Sequence, residues 1–513
     1  MRADDVLITG AGPTGLVLAI WLTKLGVKVR IVDRTSGPGT TSRAMVVQER
    51  TLELYRQLDL AAPIVDAGYA VAGVNLWVQG KHAARVPFED IGRDLAPFGF
   101  MHIFPQDAHE RLLIAKLEEL GVSVERNTEL VAFSETDDRV VARLRTGDGP
   151  EFASEARFIA GCDGAGSTIR KTTDIGFPGG TYQHIFYVAD VEAAGAAING
   201  ELSVDLDQTD FVAIFPMSGE GQARLVGTVS GNAAQSGELT FDDVSHQAID
   251  GLGLEIRKVN WFSTYHVHHR VADRFRCGRA FLLGDAAHIH SPTGGQGMNT
   301  GIGDAINLAW KLAAVLAGCA PDALLDSYEA ERIPFARRLV ATTDRAFSLI
   351  SAEGRLADML RTRISPLFPR LLGFSAAQDF ISRTVSQLTL NYRNGPISKG
   401  AAGHIHAGDR LPWVCVDGVD NHESLSAMIW QVHVYGTAEA ELVRWCTHRE
   451  LPLHVFDWRP EYAKAGLTHD ALYLFRPDTY IALVVPDASS TAVENYFSAI
   501  GVQPNGSGTV TQS

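Results

Sequence analysis

Residues 6–33 hold a strand, a glycine turn, a helix and a second strand in the order that a parallel α/β sheet requires. Val6–Thr9 has the composition of a buried strand, Gly10-Ala-Gly12-Pro13-Thr14-Gly15 follows without a gap, and an apolar helical stretch runs through Leu25. Val27–Val32 supplies the next strand and ends in Asp33. A βαβ unit of this length begins a doubly wound α/β domain. In G-x-G-x-x-G the first glycine permits the tight turn, the second lets backbone approach a pyrophosphate, and the third lets helix pack on strand. The helix N-terminus offers free N–H groups and partial positive charge to phosphate, and Asp33 is placed to accept hydrogen bonds from an adenosine ribose. The alternative is a glycine turn with no ligand; strand, helix and acid together favour a dinucleotide.

At 513 residues the chain is too long for one core, so two or three domains are expected. Lys plus Arg number 45 against 60 Asp plus Glu, a net charge of -15 with no basic run, which excludes nucleic acid as the expected partner. Cys162, Cys277, Cys319, Cys415 and Cys446 form no CxxC pair and read as thiols in a reducing compartment. Asp4 and Asp5 stand where a secretory leader would be basic, and the apolar stretches Leu16–Leu22 and Leu308–Ala317 are too short to span a bilayer. A cytoplasmic protein without a membrane partner is expected.

Helical spacing marks Arg50–Leu58 and Ala108–Leu120, and strands are expected at Val122–Val124, Leu130–Phe133, Val140–Leu144 and Phe158–Gly164. Alternating strands such as Phe211–Phe215 and Arg224–Val229 fill the region from 180 to 275, after which Phe281–Leu283 and Gly301–Ala317 return to the buried strand and long helix of the first domain. The expected organisation is a domain of 1–178 and 280–345 interleaved with a sheet domain of 179–279, to which 69–100 is also assigned. A helical connection follows at 346–395, then a last α/β domain at 396–505.

Two later segments sharpen the ligand. Cys162-Asp163-Gly164-Ala165-Gly166-Ser167-Thr168-Ile169-Arg170 and Gly284-Asp285-Ala286-Ala287-His288 each follow a strand. Pro292-Thr293-Gly294-Gly295-Gln296-Gly297-Met298-Asn299-Thr300-Gly301 and Asn307-Leu308-Ala309-Trp310-Lys311-Leu312 come next. Together with Ser42-Arg43-Ala44, Gln48-Glu49-Arg50-Thr51-Leu52-Glu53 and Pro105-Gln106, in this order, the chain resembles the class A flavoprotein aromatic hydroxylases of the p-hydroxybenzoate hydroxylase fold. The resemblance implies a Rossmann-like FAD domain interleaved with a β-sheet substrate domain. It places Gly10, Gly12, Pro13, Thr14, Gly15, Asp33, Arg34, Arg43, Gln106, Asp163, Gly164, Gly284, Asp285, Pro292, Gly295, Gln296, Gly297, Met298 and Asn299 around the cofactor. Within that set it implies Arg43 at the pyrophosphate, Gln106 at a ribose or ribityl hydroxyl, Asp285 at the ribityl chain, and Asp163 in a motif serving both FAD and NAD(P)H. Arg43 as a surface ion pair and Asp163 as a turn residue are the plainer alternatives. Gly294, Gly295 and Gly297 would let backbone lie close to a flat ring, and a helix beginning near Met298 would aim its positive end at the edge where reduced flavin is negative.

The resemblance further implies that NADPH or NADH reduces FAD, that O2 adds at C4a, and that the hydroperoxide hydroxylates a phenolic or polycyclic aromatic substrate. The protein's part is then positioning and exclusion of water, without a protein nucleophile. No catalytic base is identifiable: His102, Tyr182, His184 and Tyr265 are available, and each is more often a packed or solvent-facing residue. The sheet is expected to roof the pocket with Phe211, Ala213 and Phe215 on one face and Val212 and Ile214 on the other, with Pro292 and Thr293 nearby; which face lines the pocket is open. His266/His268/His269, His288/His290 and His404/His406 lack the partners and spacing of a metal site. Gly408-Asp409-Arg410-Leu411-Pro412 and Leu474-Phe475-Arg476-Pro477-Asp478-Thr479-Tyr480 resemble the thioredoxin-like C-terminal domain of the phenol and polyketide hydroxylase branch. Baeyer–Villiger insertion, epoxidation or oxidative decarboxylation is the second enzymatic reading, and a non-catalytic FAD-binding protein the third. Monomer and homodimer both stay open.

Overall fold

The computed structural model describes residues 4–39, 44–78, 80–87, 95–99, 101–206, 211–229, 239–244, 247–290, 295–351 and 386–504. At its centre the strand Asp4–Thr9 pairs in parallel with Val29–Val32 and with Glu151–Gly161. Ala280–Leu282 adds in parallel beyond Glu151–Gly161, with Arg276–Cys277 antiparallel at the edge. A strand from beyond residue 279 thus completes the sheet that residue 4 begins. Val6, Leu7 and Ile8 are wholly buried, as a central parallel strand covered on both faces must be. Every residue of the helix Pro13–Lys24 from Leu16 to Leu22 is also wholly buried, so this helix has no solvent face.

The second sheet has eight strands in the order His288–Ile289, Glu255–Val271, Gly179–Ala194, Gln222–Val229, Phe211–Pro216, Leu202–Leu206, Gly73–Val78 and Lys81–Pro87. Tyr187, Ala189, Val191, Val212, Ile214 and Leu225 pack together beneath Phe241, Ala248 and Ile249 on one face. The other face presents Val74, Val204 and Phe215 to Met45, Val46 and Ile103 of the first domain. A third sheet orders Leu453–Phe456, Gln431–Tyr435, Leu472–Phe475 and Ile481–Val485, the first pair parallel and the others antiparallel. The helices Ala440–His448 and Ser490–Ile500 accompany it.

Three expectations change. Val122–Val124 is not a strand: only Glu125 bridges to Val32, because the chain turns at once through Asn127, whose φ is +51°. The strand expected to reach Gly164 stops at Gly161, since Gly164 takes φ +75° and opens a turn. A helical connection was expected over 346–395, with helical pattern to about Leu390; the helix Asp326–Ser351 covers its start, 386–395 is turn and coil with Gln387 at φ +61°, and 352–385 lies outside the described residues. Among the described residues no helix is long and apolar enough to cross a membrane.

Candidate cofactor site

The three motif glycines are needed for different reasons. Gly10 has φ +99°, and a Cβ there would overlap the Cys162 carbonyl; a Cβ at Gly15 would overlap the Gly10 carbonyl and lie 3.2 Å from Cys162 Cβ. These two permit the turn to press against the Cys162 segment. Gly12 is the N-cap of the helix Pro13–Lys24 and a Cβ there would meet nothing within 4 Å, so it faces open space. No side chain caps this helix, and Pro13 occupies its first turn, where a missing N–H costs nothing. Asp33 Oδ2 accepts from Ala11 N at 2.6 Å, and Oδ1 accepts from Thr35 N at 2.7 Å and Thr35 Oγ1 at 2.6 Å. Arg34 is exposed. Arg126, unsuspected from sequence, brings Nη1 within 3.8 Å of Asp33, while its Nη2 is buried with no hydrogen-bond partner.

Across the cleft, Asp163 Oδ2 accepts from Thr168 N at 2.7 Å, at the start of the short helix Thr168–Thr172, while its Oδ1 is buried without a partner. A Cβ at Gly164 or Gly166 would meet nothing within 4 Å. Arg170 donates to Ala286 O at 2.8 Å and Ala165 O at 2.6 Å, tying the Asp163 motif to the Gly284 motif. Gly284 has φ +56° and backs onto Thr14, and Asp285 is exposed beside it. The polar atoms of this cleft and its three unobstructed glycines, Gly12, Gly164 and Gly166, fit a pyrophosphate with its flanking sugars.

The helix Gly297–Leu316 begins at the glycine loop. Gly295 has φ +62°, and its Cβ would lie 2.8 Å from Val46 Cβ. Asn299 spends all its side-chain capacity on protein: Oδ1 accepts from Gln48 N at 2.9 Å and Thr51 Oγ1 at 2.8 Å, and Nδ2 donates to Val46 O at 2.9 Å and Gly295 O at 2.8 Å. Gln296 is buried and Met298 half-buried. Gln106 Nε2 donates to Glu110 Oε1 at 2.8 Å, and Glu110 accepts from Gly39 N at 3.1 Å. Arg43, Pro292 and Thr293 lie outside the described residues, as does the side chain of Phe211.

Beneath the loop is an acid that sequence did not single out. Asp304 accepts from Gly284 N at 3.0 Å, His288 Nε2 at 2.7 Å and Arg332 Nε at 2.5 Å. Burial pushes its carboxyl upward, but Arg332 and His288 overcome this and hold it below the usual range. Its only sequence signal is a charge inside an otherwise apolar helical stretch.

The sheet face toward the loop carries Phe215 and, two residues away on the same face, Ala213. Beside Phe215 in the cross-strand row, Arg224 Nε lies 2.6 Å from Asp190 Oδ1 and its guanidinium sits 5.6 Å from the Trp261 ring. Of the possible bases, His102 is packed with Nε2 2.8 Å from Ile64 O, and burial lowers its pKa. Tyr182 packs at a tilt against His269 and Tyr265 against Phe186, while the His184 side chain lies outside the described residues.

The FAD binding domain family matches residues 3–343. A 6-methylpretetramide 4-monooxygenase of Streptomyces rimosus is 35% identical over 444 residues, 83% of this chain and 76% of its own. A flavin-dependent monooxygenase of Mycobacteroides abscessus is 31% identical over 508 residues, 95% of this chain and 98% of its own. Among solved structures, the anhydrotetracycline hydroxylase OxyS from Streptomyces rimosus superposes with a TM-score of 0.78 at 28% identity, over 98% of this chain and 100% of its own. By this match over residues 3–343 and by these relatives, the chain belongs to the FAD binding domain family and is an FAD-dependent aromatic monooxygenase.

Proposed function

We propose that the protein hydroxylates a phenolic ring of a polycyclic aromatic compound, drawing electrons from NADPH or NADH and oxygen from O2. The observation that carries this reading is the shared wall at Val46: it abuts Gly295 of the ring-facing loop and packs in the same cluster as Phe215 of the sheet. Apolar side chains shared by the loop and the sheet suit a fused-ring aromatic substrate, and the names of the two Streptomyces rimosus relatives point to tetracyclic chemistry. FAD, when bound, supplies electron transfer and the activation of O2. The chain's own residues bind, orient and exclude water. Gly12, Gly164 and the uncapped helix N-terminus receive the pyrophosphate, Asp33 the adenosine ribose, and Gln106 and Asp285 the sugar and ribityl hydroxyls, with Asp163 nearby. Gly295, Gln296, Gly297 and Met298 offer backbone to the ring, and Asn299 holds that backbone in place. Ala213 and Phe215 roof the substrate, and the Asp190–Arg224 pair gives the roof its polar spot.

Residues 1–178 and 280–345 then form the FAD domain, and 179–279 with 69–100 the substrate domain. The strand order and directions of the third sheet support a thioredoxin-like C-terminal domain. Five free thiols, Cys415 exposed among them, support a cytoplasmic location. The test is NAD(P)H oxidation by the yellow protein against phenols of one to four fused rings. The reading expects three- and four-ring phenols to accelerate oxidation at least tenfold over basal; acceleration by monocyclic phenols alone contradicts it.

A further inference from the structure

The segment Arg476-Pro477-Asp478-Thr479-Tyr480 belongs to the C-terminal domain, yet its side chains are spent on the first. Thr479 is a branched residue at φ +69° and is 5% exposed, a strained conformation that only its surroundings can impose. Its Oγ1 accepts from Arg50 Nη2 at 2.7 Å, and the same guanidinium lies 4.7 Å from the Tyr480 ring centroid and 2.9 Å from Glu53. Arg50 and Thr51 are on the helix Glu49–Tyr55, whose Thr51 hydroxyl and preceding Gln48 N–H both bond Asn299 Oδ1. On its other side the segment grips the helix Gly297–Leu316. Asp478 Oδ2 accepts from Trp310 Nε1 at 3.1 Å, and Arg476 bonds Glu331, which also takes Lys311 Nζ at 2.8 Å. Arg476, Glu331 and Lys311 are fully buried.

We infer that the 476–480 turn is a positioning element of the cofactor site, Thr479 its contact residue. It holds the Glu49–Tyr55 helix and the Gly297–Leu316 helix at a fixed separation, and the Gly295–Asn299 loop lies where the two are laced together through Asn299. The inference rests on the reading that this loop faces the flavin ring. A residue that merely stabilised the domain interface would change the melting temperature and leave the bound flavin alone. A positioning residue changes the flavin.

The test uses the full-length holoprotein. Thr479→Val keeps the shape and the strained φ but removes the hydroxyl; Thr479→Ser keeps the hydroxyl. For each, FAD dissociation is measured by fluorescence, alongside the flavin absorption spectrum and thermal melting. The expected result is an FAD Kd raised at least tenfold with a shifted flavin band in Thr479→Val, and values within about twofold of the parent in Thr479→Ser. Trp310→Phe, which releases the other grip, shifts the band in the same direction and covers the case in which Thr479→Val does not fold. Equal FAD affinity and spectra in all variants, with melting temperature alone lowered, overturns the inference. A parent protein that binds no FAD at all is visible before any variant is made; it overturns the cofactor reading and takes this inference with it.

Discussion

Gly301 has no room for a methyl group beside Thr14: a Cβ there would overlap the Thr14 hydroxyl and stand 3.2 Å from Gly284 Cα. The helix that follows the first glycine turn and the helix that follows the last one cross at this point. Gly301→Ala is expected to destabilise the protein by about 1–3 kcal/mol and to lower its FAD content. Thermal melting and flavin-to-protein absorbance check both, and Thr14→Ala in the same chain restores part of the loss by vacating the clash.

Gly12 and Gly10 predict opposite kinds of damage. Gly12→Ala adds a methyl that touches no protein atom, at a φ of -77° open to any residue. The apoprotein should melt within about 1 °C of the parent, with an FAD Kd raised at least tenfold because the methyl stands where phosphate approaches. Gly10→Ala forces overlap with the Cys162 carbonyl and should lower melting with or without FAD. Titration calorimetry with FAD and melting of the apoproteins separate the two.

Stability should depend on pH in two separate windows. Burial alone would raise Glu53, but Arg410 and Arg50 bring it down to about 2; burial would likewise raise Glu331, and Arg476 and Lys311 bring it to about 2. Their folded values lie below the ordinary 4.5, so their stabilisation is present above pH 4.5 and is lost as pH falls toward 2. Glu49 shows the reverse. Burial, with the charge of Glu53 adding to it, raises its carboxyl to about 8. The folded state then holds a proton that the unfolded state has released, so stability declines between pH 4.5 and about 8. Glu49→Gln removes that decline. Urea unfolding at pH 5 and pH 8.5 should give a larger difference in the parent than in the variant.

Asp304→Asn leaves Arg332 buried without its anion, a change that costs about 3–5 kcal/mol. It also weakens the hold on His288 and on the Gly284 amide. The variant is expected to lose FAD on gel filtration at temperatures where the parent retains it. Retention of FAD with unchanged melting would mean that Asp304 does not organise the loop.

The first βαβ unit was legible because strand, turn and helix are local, and each glycine's role follows from backbone sterics. Asp33, Asp163 and Asp285 were legible as motif members. Asn299 was legible by type, but three of its four bonds, to Gln48, Thr51 and Val46, join segments some 250 residues apart in the chain, and spacing carries no trace of that. Arg126, Arg332 and Glu331 were silent for the same reason: a buried charge is recognised only when its partner arrives from another element. The false strand at Val122–Val124 was apolar and extended, but pairing is decided by the neighbour, and only Glu125 meets one.

The most direct measurement of the central claim is a turnover under isotopically labelled O2 with the FAD-loaded protein, NAD(P)H and the best accelerating polycyclic phenol, with product and hydrogen peroxide quantified together. One labelled oxygen on the aromatic ring for each NAD(P)H consumed, with little peroxide, is the predicted result. Acceleration of NAD(P)H oxidation with all the oxygen recovered as peroxide and none in the ring would contradict it.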